Sequence, residues 1–191
     1  MHPQTLTYNE AKALLEACPN TTNGIRDKAV LAVLYRSGTR IGETLKIRPC
    51  DIDWEQKKIT IHHGKGGKSR VVSIDHGALD ILKVWAERRK SLGLNGRHPF
   101  FCATNKQARG NELHTHHYRA KIKELQAAAG IEKECNLHML RHTAASQMLE
   151  EGFDILTISR QLGHASLHTT DIYVHRLRPD LVDARLKVRA W

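Results

Sequence analysis

His138-Met139-Leu140-Arg141 is the stretch whose residue types and spacing most directly suggest chemistry. On a helix, positions i and i+3 share a face, so an imidazole and a guanidinium stand side by side while Leu140, Ala144 and Met148 turn inward. An imidazole moves protons near neutral pH, and a guanidinium is a permanently charged planar fork that matches phosphate oxygens. The pair suits a phosphodiester. Alone it is also what a solvated helix face looks like. Its weight comes from company in the same chain: Tyr35-Arg36-Ser37-Gly38-Thr39-Arg40-Ile41-Gly42-Glu43, then Leu162-Gly163-His164-Ala165-Ser166, then Thr169-Thr170-Asp171-Ile172-Tyr173.

Other chemistries fail on their own requirements. Gly64-Lys65-Gly66-Gly67-Lys68-Ser69 contains Gly-Lys-Ser, but His62 stands five before Gly67 where a phosphate-binding P-loop needs glycine. The segment also runs into Arg70-Val71-Val72-Ser73-Ile74, which reads as a strand rather than the helix whose N-terminus cradles phosphate. His114-Thr115-His116-His117 lacks the H-E-x-x-H pattern and has no acidic neighbour at ligand spacing beyond Glu112, so no metal site is expected. Gly163-His164-Ala165-Ser166-Leu167 has the wrong frame for a serine nucleophile elbow.

The elements that must position these residues follow from capping and periodicity. Thr7-Tyr8-Asn9-Glu10 is a capping box opening a helix to about Cys18. A second helix runs from Ile25 to Ser37 and closes at Gly38, and a short turn spans Ile41 to Leu45. Lys58–His63 and Arg70–Ile74 read as two strands of a hairpin joined by the glycine-rich loop. Helices are then expected over 75–92, 115–129, 137–150 and 154–162, with two short ones at 167–175 and 179–188. The expected class is α+β, a mainly helical domain with a small antiparallel sheet at one edge. Between Gln56 and Ile74 the basic residues Lys57, Lys58, Lys65, Lys68 and Arg70 meet no acidic residue, which favours contact with a nucleic-acid backbone.

Composition agrees. The 191 residues carry 30 Lys and Arg against 20 Asp and Glu, a formal charge of +10, and a surface of that sign most often serves a polyanion. A hydrophobic share of 40% is too high for disorder, and no apolar run is long enough to span a bilayer. Cys18, Cys50, Cys102 and Cys135 stand far apart, so neither a disulfide framework nor a zinc knuckle is expected. The N-terminal residues have no signal-peptide pattern, and a cytoplasmic location is expected.

Taken together, the motifs resemble those of the tyrosine recombinases, the phage integrase family. That family carries an arginine in a turn before Ile/Val-x-Glu, a hairpin lysine, H-x-x-R, L-G-H, and a tyrosine nine residues after that last histidine. All occur here in order. The resemblance implies a catalytic domain over residues 1–191, without the family's N-terminal core-binding domain, that cleaves and rejoins double-stranded DNA through a 3′-phosphotyrosyl intermediate. It implies that Arg40, Arg141 and His164 hold the scissile phosphate, that Tyr173 attacks it, that His138 accepts the phenolic proton and that Lys65, or else Lys68, protonates the leaving 5′-oxygen. Lys57, Lys58, Lys68 and Arg70 are expected at the DNA backbone. No cofactor is implied, and a dimer or tetramer on DNA is. The rival readings are a type IB topoisomerase-like enzyme and a non-catalytic DNA-binding regulator on the same scaffold. Tyr118, on a basic helix, is expected to stack on or contact DNA.

Overall fold

A computed structural model describes residues 4–62 and 69–163. The elements, in order, are α1 (Tyr8–Glu16), α2 (Thr22–Ser37), α3 (Ile41–Thr44), β1 (Ile52–Asp53), β2 (Lys58–Ile61), β3 (Arg70–Ser73), α4 (His76–Ser91), α5 (Thr115–Ala128), α6 (Leu137–Glu150) and α7 (Ile155–Leu162). A single 3₁₀ turn, Pro49–Asp51, leads into β1. The helices expected at 167–175 and 179–188 lie outside the described residues.

Helix α2 is the axis of the domain. Every residue from Ala29 to Tyr35 is buried, because α1, α4 and α6 all pack on it. Covering a leucine such as Leu31 or Leu34 on all sides contributes about 1.5–3 kcal/mol of transfer free energy. The helix is punctuated as its sequence requires: the Thr21 hydroxyl accepts from the Gly24 N–H, and Gly38 closes it with φ 65°. That positive φ suits glycine, and a Cβ there would fall 2.4 Å from Cδ2 of Leu162.

The described strands form one antiparallel sheet in the order β1-β2-β3, with Ile59 opposite Val72 and Ile61 opposite Arg70. Ile59, Ile61 and Val72 face the core, whereas Val71 is 55% exposed. The two-residue strand β1 pairs with β2 through Ile52 and Ile59. It was not expected, since two residues carry no alternation to read. Helix α7 packs on β3 and, through Ile158 and Leu162, on Ala145 of α6.

Tyr118 is not at a DNA-facing surface. Its ring is fully buried, and its hydroxyl donates to Asp27 Oδ1 at 2.9 Å, where Arg26 also binds through Nε and Nη2. The basic residues of α5 surround an inward stripe of Tyr118, Ile122 and Leu125, and the tyrosine belongs to that stripe.

Candidate active site

The site is built on the turn between α2 and α3. After Gly38, Thr39 turns inward and Arg40 takes the extended conformation that begins α3. Buried hydroxyls fix this turn. Ser37 Oγ donates to the Val33 carbonyl at 2.7 Å, the hydroxyls of Ser37 and Thr39 are 3.0 Å apart, and those of Thr39 and Thr44 are 2.8 Å apart. Thr44 Oγ1 then donates to the Arg40 carbonyl at 3.2 Å. The chain is thereby held from both sides of Arg40, whose side chain remains 34% exposed.

Arg141 reaches this turn from α6. Its Nη1 donates to the Gly38 carbonyl at 2.5 Å and its Nη2 to the Leu162 carbonyl at 2.8 Å. The residue is 2% exposed. One guanidinium thus ties the end of α2 to the end of α7, giving the carbonyls of two helix termini charged donors. A guanidinium has five N–H donors, enough to be anchored by carbonyls and to grip a phosphate oxygen. Leu162 lies two residues before His164 in the sequence.

His138 stands one turn before Arg141 on α6, with its ring packed edge-on against His142, centroids 4.7 Å apart. Burial, then the charges of Arg141 and Arg40, push its pKa below the usual histidine value. Both arginines act on this imidazole, disfavouring its protonated form. His142 is pushed further, down to about 4, by burial and by the charges of His138 and Arg141. Since the unfolded chain binds a proton at His142 near pH 6.5 and the folded chain does so only near 4, acid favours the unfolded state across that window. The melting temperature is expected to fall as pH drops from 6.5 to 4. His142→Gln should flatten that limb, and an unchanged pH dependence in the variant would remove His142 as its source.

Glu43 supports Arg40 from below. Its Oε2 accepts from the Arg40 backbone N–H at 3.0 Å and its Oε1 from Arg40 Nη1 at 3.0 Å. Burial opposes its ionisation, but bonds from Arg70 and Arg40 outweigh that and hold its pKa at about 2. Arg70, expected at the DNA backbone, instead points inward. Its Nη1 and Nη2 donate to Glu43 at 3.1 and 2.8 Å, its Nε donates to the Gln161 carbonyl at 3.2 Å, and its side chain is 13% exposed. The signal that places it was strand alternation. Arg70 and Val72 share a face, and Val72 is in the core. In the sequence the adjacent apolar pair Val71-Val72 leaves the phase of the strand open.

The basic stretch is therefore divided. Lys58 pairs with Ser73 at the far end of β2 from the Ile61–Arg70 pair, about 10 Å along the strand. Its Nζ donates to Gln56 Oε1 at 2.8 Å, and the Nζ of Lys57 lies 2.6 Å from His76 Nε2. Of the residues singled out in the sequence, the structure brings Arg40, Arg141 and His138 together. It sets Lys57 and Lys58 apart from them. Lys65, Lys68, His164 and Tyr173 lie outside the described residues. Among the described residues no three His, Cys, Asp or Glu side chains are grouped to hold a metal ion, and no helix is long and apolar enough to cross a membrane.

Residues 4–178 match the Phage integrase family, and the chain belongs to it. Among curated relatives, it is 35% identical over 173 residues to tyrosine recombinase XerC of Xanthomonas campestris pv. campestris, a match covering 91% of this chain and 51% of that protein. The chain thus spans about half the length of that relative. It superposes on the crystal structure of XerA recombinase with a TM-score of 0.83 and 31% identity, over 100% of this chain and 67% of that one. It also superposes on XerH site-specific recombinase bound to its palindromic difH substrate in a post-cleavage complex, with a TM-score of 0.78 and 27% identity, over 97% of this chain and 53% of that one.

Proposed function

We propose that this chain carries the catalytic domain of a site-specific DNA recombinase, which cleaves and rejoins strands through a 3′-phosphotyrosyl intermediate and acts as a homo-oligomer on its DNA. The observation that carries the reading is the Arg141–Gly38 bond. It fixes one arginine to the carbonyl two residues before the other, with His138 one turn away on α6. Two guanidinium groups held on one turn suit the charge that gathers on the nonbridging oxygens of a phosphoryl transition state.

In this mechanism Arg40, Arg141 and His164 grip the scissile phosphate. The phenolic oxygen of Tyr173 bonds to phosphorus as the bond to the 5′-oxygen breaks. The phenolic proton passes to His138, and Lys65 gives a proton to the leaving oxygen. The phosphotyrosine retains the energy of the broken phosphodiester, so a 5′-hydroxyl can reverse the step without a nucleotide cofactor. Lys57 and Lys58, at the outer end of the sheet, suit contact with the DNA backbone. The relatives named as recombinases, one of them bound to its DNA, support the same reading.

The test uses nicked duplexes made from DNA flanking the gene. A denaturation-resistant, protease-sensitive adduct on a 3′-phosphate end is expected, in EDTA as in its absence. Binding should weaken steeply between about 50 and 200 mM salt, because each neutralised phosphate releases counterions. Binding that leaves every strand intact would make the chain a regulator. Relaxation of supercoiled plasmid without any site preference would make it a topoisomerase.

A further inference from the structure

Arg70 occupies a position that neither DNA contact nor simple packing explains. It is a cation, largely withdrawn from solvent, and it holds both oxygens of the carboxylate that also holds Arg40. The side chains grade inward from the surface: Arg40 is 34% exposed, whereas Arg70 is 13% and Glu43 is 9% exposed. The same guanidinium binds the Gln161 carbonyl near the end of α7 and lies against Gly163, where a Cβ would come within 2.7 Å of Arg70 Cζ. Gly163, at φ 69°, is the glycine that admits this approach.

Charge decides what the arrangement does. Arg40 and Arg70 contribute two positive charges and Glu43 one negative, leaving the group with one net positive charge. Without Arg70, Glu43 would face Arg40 alone, and the outermost guanidinium would be neutralised by its own support. Resting on the recombinase reading above, we propose that Arg70 is a positioning residue. It offsets the charge of Glu43, so that Arg40 is oriented by the carboxylate yet meets the scissile phosphate as a full cation.

Charge compensation and mechanical bracing give opposite results in a double-mutant comparison. Single-turnover cleavage of a nicked suicide duplex is measured at saturating protein for the parent, Arg70→Gln, Glu43→Gln, Arg70→Gln/Glu43→Gln and Arg70→Lys. Melting temperatures are recorded for each. Arg70→Gln is expected to lose about 10- to 100-fold in cleavage rate, within the range of coupling found between residues of one ion-pair network. Adding Glu43→Gln restores the net charge and should raise the rate of Arg70→Gln by about tenfold, within the coupling expected inside one ion-pair network. If Arg70 only braced the fold, the double variant would be as slow as Arg70→Gln or slower.

Arg70→Lys keeps the charge and should stay closer to the parent than Arg70→Gln does. If Arg70→Gln does not fold, the comparison of Arg70→Lys with the parent and with the double variant carries the test. A folded Arg70→Lys that loses as much cleavage rate relative to the parent as is expected of Arg70→Gln would overturn the proposal. So would parental cleavage in Arg70→Gln, or a double variant no faster than Arg70→Gln. Absence of an adduct from the parent protein would instead overturn the recombinase reading, so the two failures are separable.

Discussion

Arg141→Ala is expected to lower covalent cleavage on the order of 10²-fold or more, the loss typical when one group that stabilises transition-state charge is removed. It should also lower the unfolding free energy by about 2–4 kcal/mol, because the Gly38 and Leu162 carbonyls lose their donors inside the protein. The two losses have one origin. A Cβ on Gly38 would fall 2.4 Å from Cδ2 of Leu162, so the ends of α2 and α7 approach closely here, and the guanidinium closes that junction by binding both carbonyls. Arg141→Lys separates the contributions. An ammonium keeps the charge but lacks the planar fork that spans two carbonyls, so it should retain more cleavage than alanine while still losing stability. Denaturant melts, and adduct yield measured well below the melting temperature of each variant, give the two values. A folded Arg141→Ala protein with parental adduct yield would remove Arg141 from the chemistry.

Local punctuation carried most of the fold. The capping box at Thr7 and Glu10 and the closing glycine at Gly38 are short-range signals, and they appear in the structure as capping bonds. Site positions depending on a few neighbouring residues were equally readable. His138 and Arg141 fall on consecutive turns of α6 as their spacing requires.

What the sequence hid is the surroundings of each charge. Arg141 looked like part of a donor-bearing face, yet it is 2% exposed because its carbonyl partners come from two other elements, 103 and 21 residues away along the chain. Arg70 looked like a member of a basic run. Its partners are Glu43, 27 residues before it, and Gln161, 91 residues after it. The hydroxyls of Ser37, Thr39 and Thr44 carried no sequence signal, since serine and threonine near a helix end usually cap it or meet water. Here they are buried under the arginine turn and bond to one another.

Tyr173→Phe is expected to form no covalent adduct at all while folding and binding DNA like the parent, since it deletes one oxygen and keeps the ring. A phosphoryl transfer without its nucleophile has no slower version of the same step: the remaining groups in the proposed site are cations and imidazoles that stabilise or move charge. The structure selects the control. Tyr118 and Tyr35 are poor choices, because the hydroxyl of Tyr118 donates to Asp27 and that of Tyr35 accepts from Gln147 Nε2 at 2.6 Å, so phenylalanine at either disturbs the core. Tyr8 is 65% exposed on α1, and Tyr8→Phe should leave the adduct yield unchanged. A duplex whose leaving 5′-oxygen is replaced by sulfur then divides the remaining roles. A thiolate departs without being protonated, so this substrate should restore cleavage to Lys65→Ala and leave Tyr173→Phe inactive. Rescue of Lys68→Ala in place of Lys65→Ala would move the proton donor three residues along the chain. An adduct persisting in Tyr173→Phe would require a different nucleophile, and mapping the DNA-linked peptide would identify it.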